Sequence, residues 1–475
     1  MTKIKCPLRE TANISGEATA IISGEVKLLY NQLDLIVTST TRRLRERHCK
    51  PGDRIAIFMN NDWQTIVLTL SLLRIGAIAC HMSTRLPAQT LRNQLDAIDY
   101  KKLIAYVEGK GLKLLAGVER WSPDDLIIKT LTQKKSIEDD MISLSQPTTI
   151  VFTSGSSSAP KPVLLTYGNH YYSAQGSNLI LRLRSKHRWL ISLPLYHVGG
   201  LAILFRCLIT GATMVIPERK RAIDTSLKEE GITHCSLVPA QLYRLSKSKF
   251  KQADFQNLQV ILLGGSSVSS TLLKEAYKKK LPVYITYGLT EMASQVTSMR
   301  PDSPPVKRIT SGQLLKHREL KIEKDGEIWV RGKTLFAGYV DGQDAHCPVN
   351  HEGWFATGDR GYLDEEGYLI VLGRKDNMFI SGGENIQPEE IERAICMLED
   401  VDQAIVVPVS DEEFGSRPVA FIQGKNGDID IQKIVYCLEQ VLPRFKIPVV
   451  FYPWPEEMEP DRMKVDRKRL SGYIS

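Results

Sequence analysis

Residues 151–163 read VFTSGSSSAPKPV. The apolar run Thr149–Phe152 reads as a buried strand that hands over to a Ser/Gly-rich loop with one lysine, Lys161, near its end. Hydroxyls and unobstructed backbone N–H groups in such a loop suit a phosphate, and Lys161 adds a mobile point charge. The Gly-Lys-Ser/Thr ending of the Walker pattern is absent, so this is not the loop of an ordinary P-loop NTPase. An isolated loop of this kind reads first as a surface turn. The choice rests on what surrounds it.

Towards the amino terminus, strands and helices alternate. Val26–Leu44 has the apolar spacing of a helix. Pro51-Gly52-Asp53 is a turn, Arg54–Met59 a strand, and Asp62–Arg74 a helix. Gly76–His81 and Lys102–Val107 read as further strands, with a helix at Leu91–Ile98 between them. The longest apolar stretch, Ile66–Cys80, is interrupted by Arg74 and falls short of the roughly 20 residues of a membrane span, so it reads as a buried helix. No apolar segment follows the first basic residues, so no signal peptide is expected.

The alternation continues beyond the loop. Helices are expected at Tyr171–Arg182 and Leu201–Ile209. Strands are expected at Trp189–Leu193, Gly211–Ile216, His234–Val238, Val260–Leu263 and Val283–Thr286. The last two lead into Gly264-Gly265-Ser266-Ser267 and Tyr287-Gly288-Leu289-Thr290-Glu291. Such a pattern builds an α/β fold with a parallel sheet covered on both faces, and ligands bind beyond the carboxyl ends of its strands. After Pro301, short alternating runs broken by Asp325-Gly326 and Gly332 indicate a small antiparallel β region. A boundary is expected at Gly373–Asp376, giving a large domain over 1–374 and a small α+β domain over 375–475. Pro388 and the acidic pair Glu389 and Glu390 suit the start of a helix in the small domain.

Composition excludes other classes. A 43% hydrophobic and 24% charged chain is an ordinary globular protein. The net charge of +8 comes from basic residues scattered among acidic ones, which suits anionic substrates and is no nucleic-acid footprint. The eight cysteines are dispersed with no CxxC, so neither a zinc cluster nor a disulfide framework is supported, and a reducing, cytoplasmic setting is the simpler expectation.

Taken together the segments resemble the adenylate-forming superfamily of acyl-CoA synthetases, adenylation domains and luciferases. Residues 153–161 are similar to its TSG[ST][ST]GxPK signature, Tyr287–Glu291 to YGxTE, and Thr357-Gly-Asp359 to TGD. Gly373–Asp376 followed by Ser381–Ile391 resembles GRxD…GENIxPxEIE, and Lys464–Lys468 the motif of the C-terminal catalytic lysine. Five motifs in the right order, from about residue 149 to 470, make the match specific. The resemblance implies layered sheets and helices in the large domain, a mobile small domain, and two chemical steps. A carboxylate attacks the α-phosphorus of ATP and releases pyrophosphate; coenzyme A then displaces AMP.

It also implies roles. Thr153, Ser154, Gly155, Ser156, Ser157 and Lys161 would hold the β- and γ-phosphates. Ser158 and Pro162 stand where the superfamily commonly has glycine, which would stiffen the loop. Thr290 would contact the α-phosphate and Glu291 would bind Mg²⁺. Tyr287, Gly264, Gly265, Ser266 and Gly288 would border the adenine, with ordinary packing as the alternative for Tyr287. Asp359 would accept from the ribose hydroxyls, assisted by Arg374. Asp376 would be the hinge of a rotating small domain, and Gly382 and Gly383 would line the pantetheine tunnel or form a tight turn. Lys464 would reach the reacting atoms, although Met463 replaces the usual glycine before it, and its basic neighbours otherwise read as a solvated face.

The acid is the least legible part. His197, in Leu193–Gly200, borders the acyl pocket by resemblance and either gates it or is structural. The LPLYHVGGL stretch and the 312–330 region resemble the o-succinylbenzoate–CoA ligases of menaquinone synthesis. That substrate has two carboxylates, for which Arg182, Arg184 and Arg188 are candidates if the fold brings them close. The alternatives are a ligase for a fatty or aromatic acid and a non-catalytic nucleotide-binding protein. Sequence leaves the oligomeric state open, a homo-oligomer included.

Overall fold

The computed structural model describes residues 2–106, 120–127, 141–153, 160–218, 221–250, 252–266, 268, 270–382, 384–425, 429–455 and 467–474. Among them two large sheets face a shared interior. The first has eight strands, in the order Asp344–His346, Gly338–Asp341, Pro162–Thr166, Pro147–Phe152, Ile78–His81, Arg54–Phe58, Lys102–Ala105, Arg120–Trp121. The second has nine, in the order Gln313–Leu314, Ser294–Ser298, Val283–Leu289, Val260–Leu263, His234–Leu237, Arg188–Leu190, Thr213–Ile216, Thr19–Ser23, Val26–Leu29. Each is parallel in the middle and antiparallel at one or both edges.

The helix Trp63–Ile75 lies in the interior, and every residue of it but Arg74 is buried. Asp62 caps it by accepting from the Thr65 amide, and Gly76, at φ +86°, ends it in the left-handed conformation that costs glycine least. Arg74, the one charge in this apolar run, pairs with the buried Asp34, which also binds Arg9. No helix of the described residues is long and apolar enough to cross a membrane.

Beyond the two sheets, Arg318–Ile322, Glu327–Gly332, Phe355–Leu363 and Leu369–Arg374 form the expected antiparallel unit. Further on, Val401–Asp411, Gly415–Gly424 and Val450–Pro453 make a sheet with a separate core, covered by the helices Pro388–Ile395 and Ile431–Glu439.

Two segments depart from expectation. Val26–Leu29 is a strand, paired with Thr19–Ser23, and the helix begins at Tyr30. The strand from Val283 runs on through Tyr287 and Gly288 to Leu289, because Ser294–Ser298 folds back against it.

Candidate active site

The Ser/Gly-rich loop is closed at its base by backbone. Pro147–Phe152 and Pro162–Thr166 form an antiparallel hairpin, with Phe152 opposite Pro162. The Thr153 amide donates to the Lys161 carbonyl (3.0 Å), and the Lys161 amide donates to Thr153 Oγ1 (3.1 Å). Pro162 is thus the first residue of a strand, where a missing N–H is tolerated, and not a member of the loop it was expected to stiffen. Ser154, Gly155, Ser156, Ser157 and Ser158 lie outside the described residues.

Lys161 Nζ sits 4.9 Å from the centre of the Tyr339 ring. The Tyr339 hydroxyl donates to Glu291 Oε1 (2.8 Å). Glu291 lies in the one-turn helix Thr290–Met292, and its carbonyl accepts from the Phe336 amide (2.8 Å). The chain leaves that turn through Ala293 and Ser294 at φ +51° and +103°. Positive φ at such residues costs on the order of 1 kcal/mol or more each, and here it lets the returning strand pair while Glu291 stays at the bend.

On the Val283–Leu289 strand itself, the Tyr287 hydroxyl donates to Asp359 Oδ2 (2.7 Å). The Tyr287 ring is 9% exposed and packs with Val163, Leu165 and Met292. Burial first, and then Asp359, push its phenol well above the usual range, so the hydroxyl stays a donor. Arg374 Nη1 donates to the Thr357 carbonyl (2.8 Å) and to Asp359 Oδ1 (3.3 Å), while Nη2 reaches Asp376 Oδ2 (3.0 Å). A Cβ on Gly358 would lie 2.9 Å from the Arg374 guanidinium, so the motif's glycine makes room for this clamp. Glu327, which sequence reading did not single out, accepts from the Gly358 amide and from Lys375 (both 3.0 Å).

Known proteins match this chain in sequence and fold. AMP-binding enzymes match over residues 8–340, and their C-terminal domain over 390–459. The chain belongs to the AMP-binding enzyme family. The 2-succinylbenzoate–CoA ligase of Bacillus cereus (strain ZK / E33L) is 34% identical over 454 residues, which cover 93% of this chain and 92% of that one. The o-succinylbenzoate coenzyme A synthetase (MenE) of Bacillus subtilis in complex with ATP and magnesium ion has a TM-score of 0.88 at 29% identity, covering 99% and 100% of the two chains. A point variant of E. coli MenE with bound OSB-AMS has a TM-score of 0.84 at 29% identity, covering 100% and 99%.

In this AMP-binding enzyme the other residues singled out from sequence fall on several elements. Gly264 follows Val260–Leu263, and a Cβ there would lie 2.9 Å from Thr286 Cγ2; Gly265 has φ +93°, and Ser266 is exposed. Gly288 faces Gln295 across the sheet, and a Cβ on it would lie 2.0 Å from the Ser294 carbonyl oxygen. His197 caps the helix Val198–Leu208, half-buried, with its ring 4.7 Å from that of Tyr196. Asn61 pins the preceding loop by donating to the Leu193 carbonyl and accepting from the Leu195 amide (both 2.8 Å). Asp376 lies in the short helix Lys375–Asn377. Gly382, at φ +56°, donates its amide to the Phe414 carbonyl (2.9 Å), which gives it the turn geometry anticipated as one alternative. Gly383 and Lys464 lie outside the described residues.

Arg182, Arg184 and Arg188 are on the wrong side for a substrate carboxylate. Arg182 and Arg184 precede the parallel strand Arg188–Leu190 and Arg188 opens it, at the amino end of the sheet, and Arg188 Nη1 donates to the Glu230 carbonyl (2.7 Å). Arg206 is a further, buried guanidinium. It is 1% exposed on the helix Val198–Leu208 and donates to Gln295 Oε1 (2.7 Å), directly across from Gly288. Its guanidinium lies 5.3 Å from the Trp189 ring, its Nε has no partner, and no carboxylate of the described residues pairs with it. Burial lowers its pKa to about 10. The signal in the sequence was a lone charge inside the apolar run Leu201–Leu208. The basic tail is likewise not all solvated face: Arg467 is held by Glu389, Glu392 and the Val406 carbonyl.

Proposed function

We propose that this AMP-binding enzyme is an ATP-dependent acid–CoA ligase whose acid is o-succinylbenzoate. In the first step a carboxylate oxygen bonds to the α-phosphorus of ATP, the bond to the bridging oxygen breaks, and pyrophosphate leaves. In the second the sulfur of coenzyme A bonds to the acyl carbon, the acyl–oxygen bond breaks, AMP leaves, and the thiol proton passes to solvent. The product is o-succinylbenzoyl-CoA, a precursor-level thioester of menaquinone synthesis.

In-line displacement at phosphorus needs positioning and charge neutralisation more than covalent help from the protein. Lys161, Thr153 and the Ser154–Ser157 stretch hold the outer phosphates, and Thr290 the α-phosphate. Asp359, steadied by Tyr287 and Arg374, takes the ribose hydroxyls. Lys464 neutralises the reacting oxygens in the first step. Residues 375–475 turn about Asp376 between the steps, which brings Gly382 and Gly383 to the pantetheine path.

Glu291 is the residue to hold Mg²⁺. Its Oε2 has no protein donor among the described residues, and no group of three or more metal-binding side chains occurs among them. That fits an ion carried in by phosphate oxygens and held by one carboxylate, not a resident cage. Bound there, the ion would neutralise phosphate charge.

The observation that carries the choice of acid is Arg206. A buried guanidinium without a carboxylate is expensive, and a substrate with a second carboxylate removes that expense. The curated relatives, named for the same acid, support this reading. The test is pyrophosphate release with and without coenzyme A across o-succinylbenzoate, benzoate, cinnamate-type and fatty acids. Release and thioester formation confined to o-succinylbenzoate are expected. Release with a monocarboxylic acid alone would discard the substrate and keep the chemistry; no release with any acid, despite ATP binding, would discard the ligase.

A further inference from the structure

Tyr339 belongs to none of the segments that the ligase reading uses, yet it touches two of its charged groups. It sits on the strand Gly338–Asp341, directly opposite Val163, two residues beyond Lys161. Its ring is fixed edge-on against Phe336, with centroids 4.9 Å apart. The strand arrives there through Gly338 at φ +150°, where a Cβ would lie 2.6 Å from the His346 backbone. The Lys161 ammonium rests 4.9 Å from the ring centre, and the hydroxyl donates to Glu291 Oε1.

Resting on the ligase reading, we propose that Tyr339 is a positioning residue that holds the phosphate-binding lysine and the metal-binding carboxylate side by side without letting them neutralise each other. A lysine just before the strand Pro162–Thr166 and a glutamate in the turn Thr290–Met292, both against one tyrosine, would otherwise form an ion pair, and each would have to be released from the other before nucleotide could bind. An ammonium over an aromatic face gains only about 0.5–1 kcal/mol at an exposed site, so it is surrendered readily to a phosphate. A neutral hydroxyl fixes one carboxylate oxygen, leaves its charge intact and leaves Oε2 for the ion. Lys161 accordingly makes no ion pair among the described residues.

The test separates the two contacts by calorimetric titration of ATP into the full-length protein without any acid, so that no reaction occurs. Titrations in EDTA and over a Mg²⁺ series are compared for the wild type, Tyr339→Phe and Tyr339→Leu, with the unfolding temperature of each recorded. Tyr339→Phe keeps the ring. It is expected to bind ATP in EDTA as the wild type does, and to lose about tenfold of the strengthening by Mg²⁺, the worth of one hydrogen bond to a charged group. Tyr339→Leu is expected to weaken binding in EDTA as well. Wild-type Mg²⁺ dependence in Tyr339→Phe, which is an isosteric change with little risk to folding, overturns the proposal alone. A wild-type protein that binds no ATP under either condition overturns the ligase reading and this proposal with it.

Discussion

A charge buried without its partner, as at Arg206, is a cost that the folded protein carries until an anion arrives. Arg206→Met should therefore separate stability from activity. Gln295 Oε1 keeps the Ser177 hydroxyl (2.7 Å) after the change, so no new buried acceptor is stranded. The unfolding temperature is expected to hold or rise. For o-succinylbenzoate, kcat/KM should fall by roughly 30-fold or more, corresponding to the ~2 kcal/mol or more of a buried charge pair, while ATP binding is retained. A fall in unfolding temperature with unchanged kcat/KM would remove Arg206 from the acid. The glycines make a second contrast. Gly288→Ala forces a Cβ to within 2.0 Å of the Ser294 carbonyl, whereas a Cβ on Gly24, at φ +56°, meets nothing within 4 Å. The first should cost about 3 kcal/mol or more, the second about 1 kcal/mol of left-handed strain, as read from denaturant midpoints. Equal losses would mean that the two strands move apart to admit a methyl group at Gly288.

Elements were legible where a single period dominated. The central strands and the helix Trp63–Ile75 could be placed to within a few residues, because apolar runs bounded by Gly, Pro and Asp have few other readings. Val26–Leu29 was lost to the following helix because Val26, Leu28 and Leu29 satisfy both periods over four residues. Tyr287–Leu289 looked like a loop because pairing with Ser294–Ser298 is a long-range fact. Arg188 could have been rejected from sequence alone, since a residue that opens a parallel strand lies at its amino end. Arg206 was legible only as a lone charge in the apolar run around it. What sequence could not give at all is how the helices Pro239–Lys247 and Ser270–Lys278 hold the C-terminal sheet. Tyr243 donates to Asp402 (2.9 Å), Lys425 pairs with Glu275 (3.2 Å), and Thr271 donates to the Cys396 carbonyl. Partly exposed contacts of this kind contribute up to about 1 kcal/mol each, so two of them bias a docking equilibrium by roughly tenfold. Tyr243→Phe combined with Lys425→Ala should slow acid-dependent pyrophosphate release by about three- to tenfold and leave thioester formation from supplied acyl-adenylate unchanged. Equal slowing of both steps would show that these contacts do not select between them.

Over the whole molecule, the same burial that builds the core sets its response to acid. His81 (3% exposed) and His234 (0%) lie on strands of the two large sheets, and His170 (1%) on the helix Tyr167–Leu181. Burial holds His81 at about 4, burial and then His81 hold His170 at about 3, and burial and then His187 hold His234 at about 4, against an ordinary value of 6.5. Hydrogen bonds satisfy the neutral rings: His81 Nε2 meets Thr69 Oγ1 (3.2 Å), and His170 Nε2 meets Thr149 Oγ1 (2.8 Å). The unfolded chain takes up these protons as pH falls through 6.5, and the folded chain does not until pH nears 4. Stability is therefore complete above pH 6.5 and declines between 6.5 and 4, by up to about 1.4 kcal/mol per pH unit for each ring. Paired carboxylates protonate mainly below about pH 5, so the window from 6.5 to 5 isolates the histidines. Over it the unfolding temperature is expected to drop by roughly 5 °C, a loss of a few kcal/mol spread over a large chain. His170→Gln, which places an uncharged amide beside Thr149, should flatten about a third of that slope even if it lowers the plateau. An unfolding temperature that stays level from pH 6.5 to 5 would mean that the three rings take up protons in the folded state as readily as in the unfolded one, through openings of the core that expose them to water.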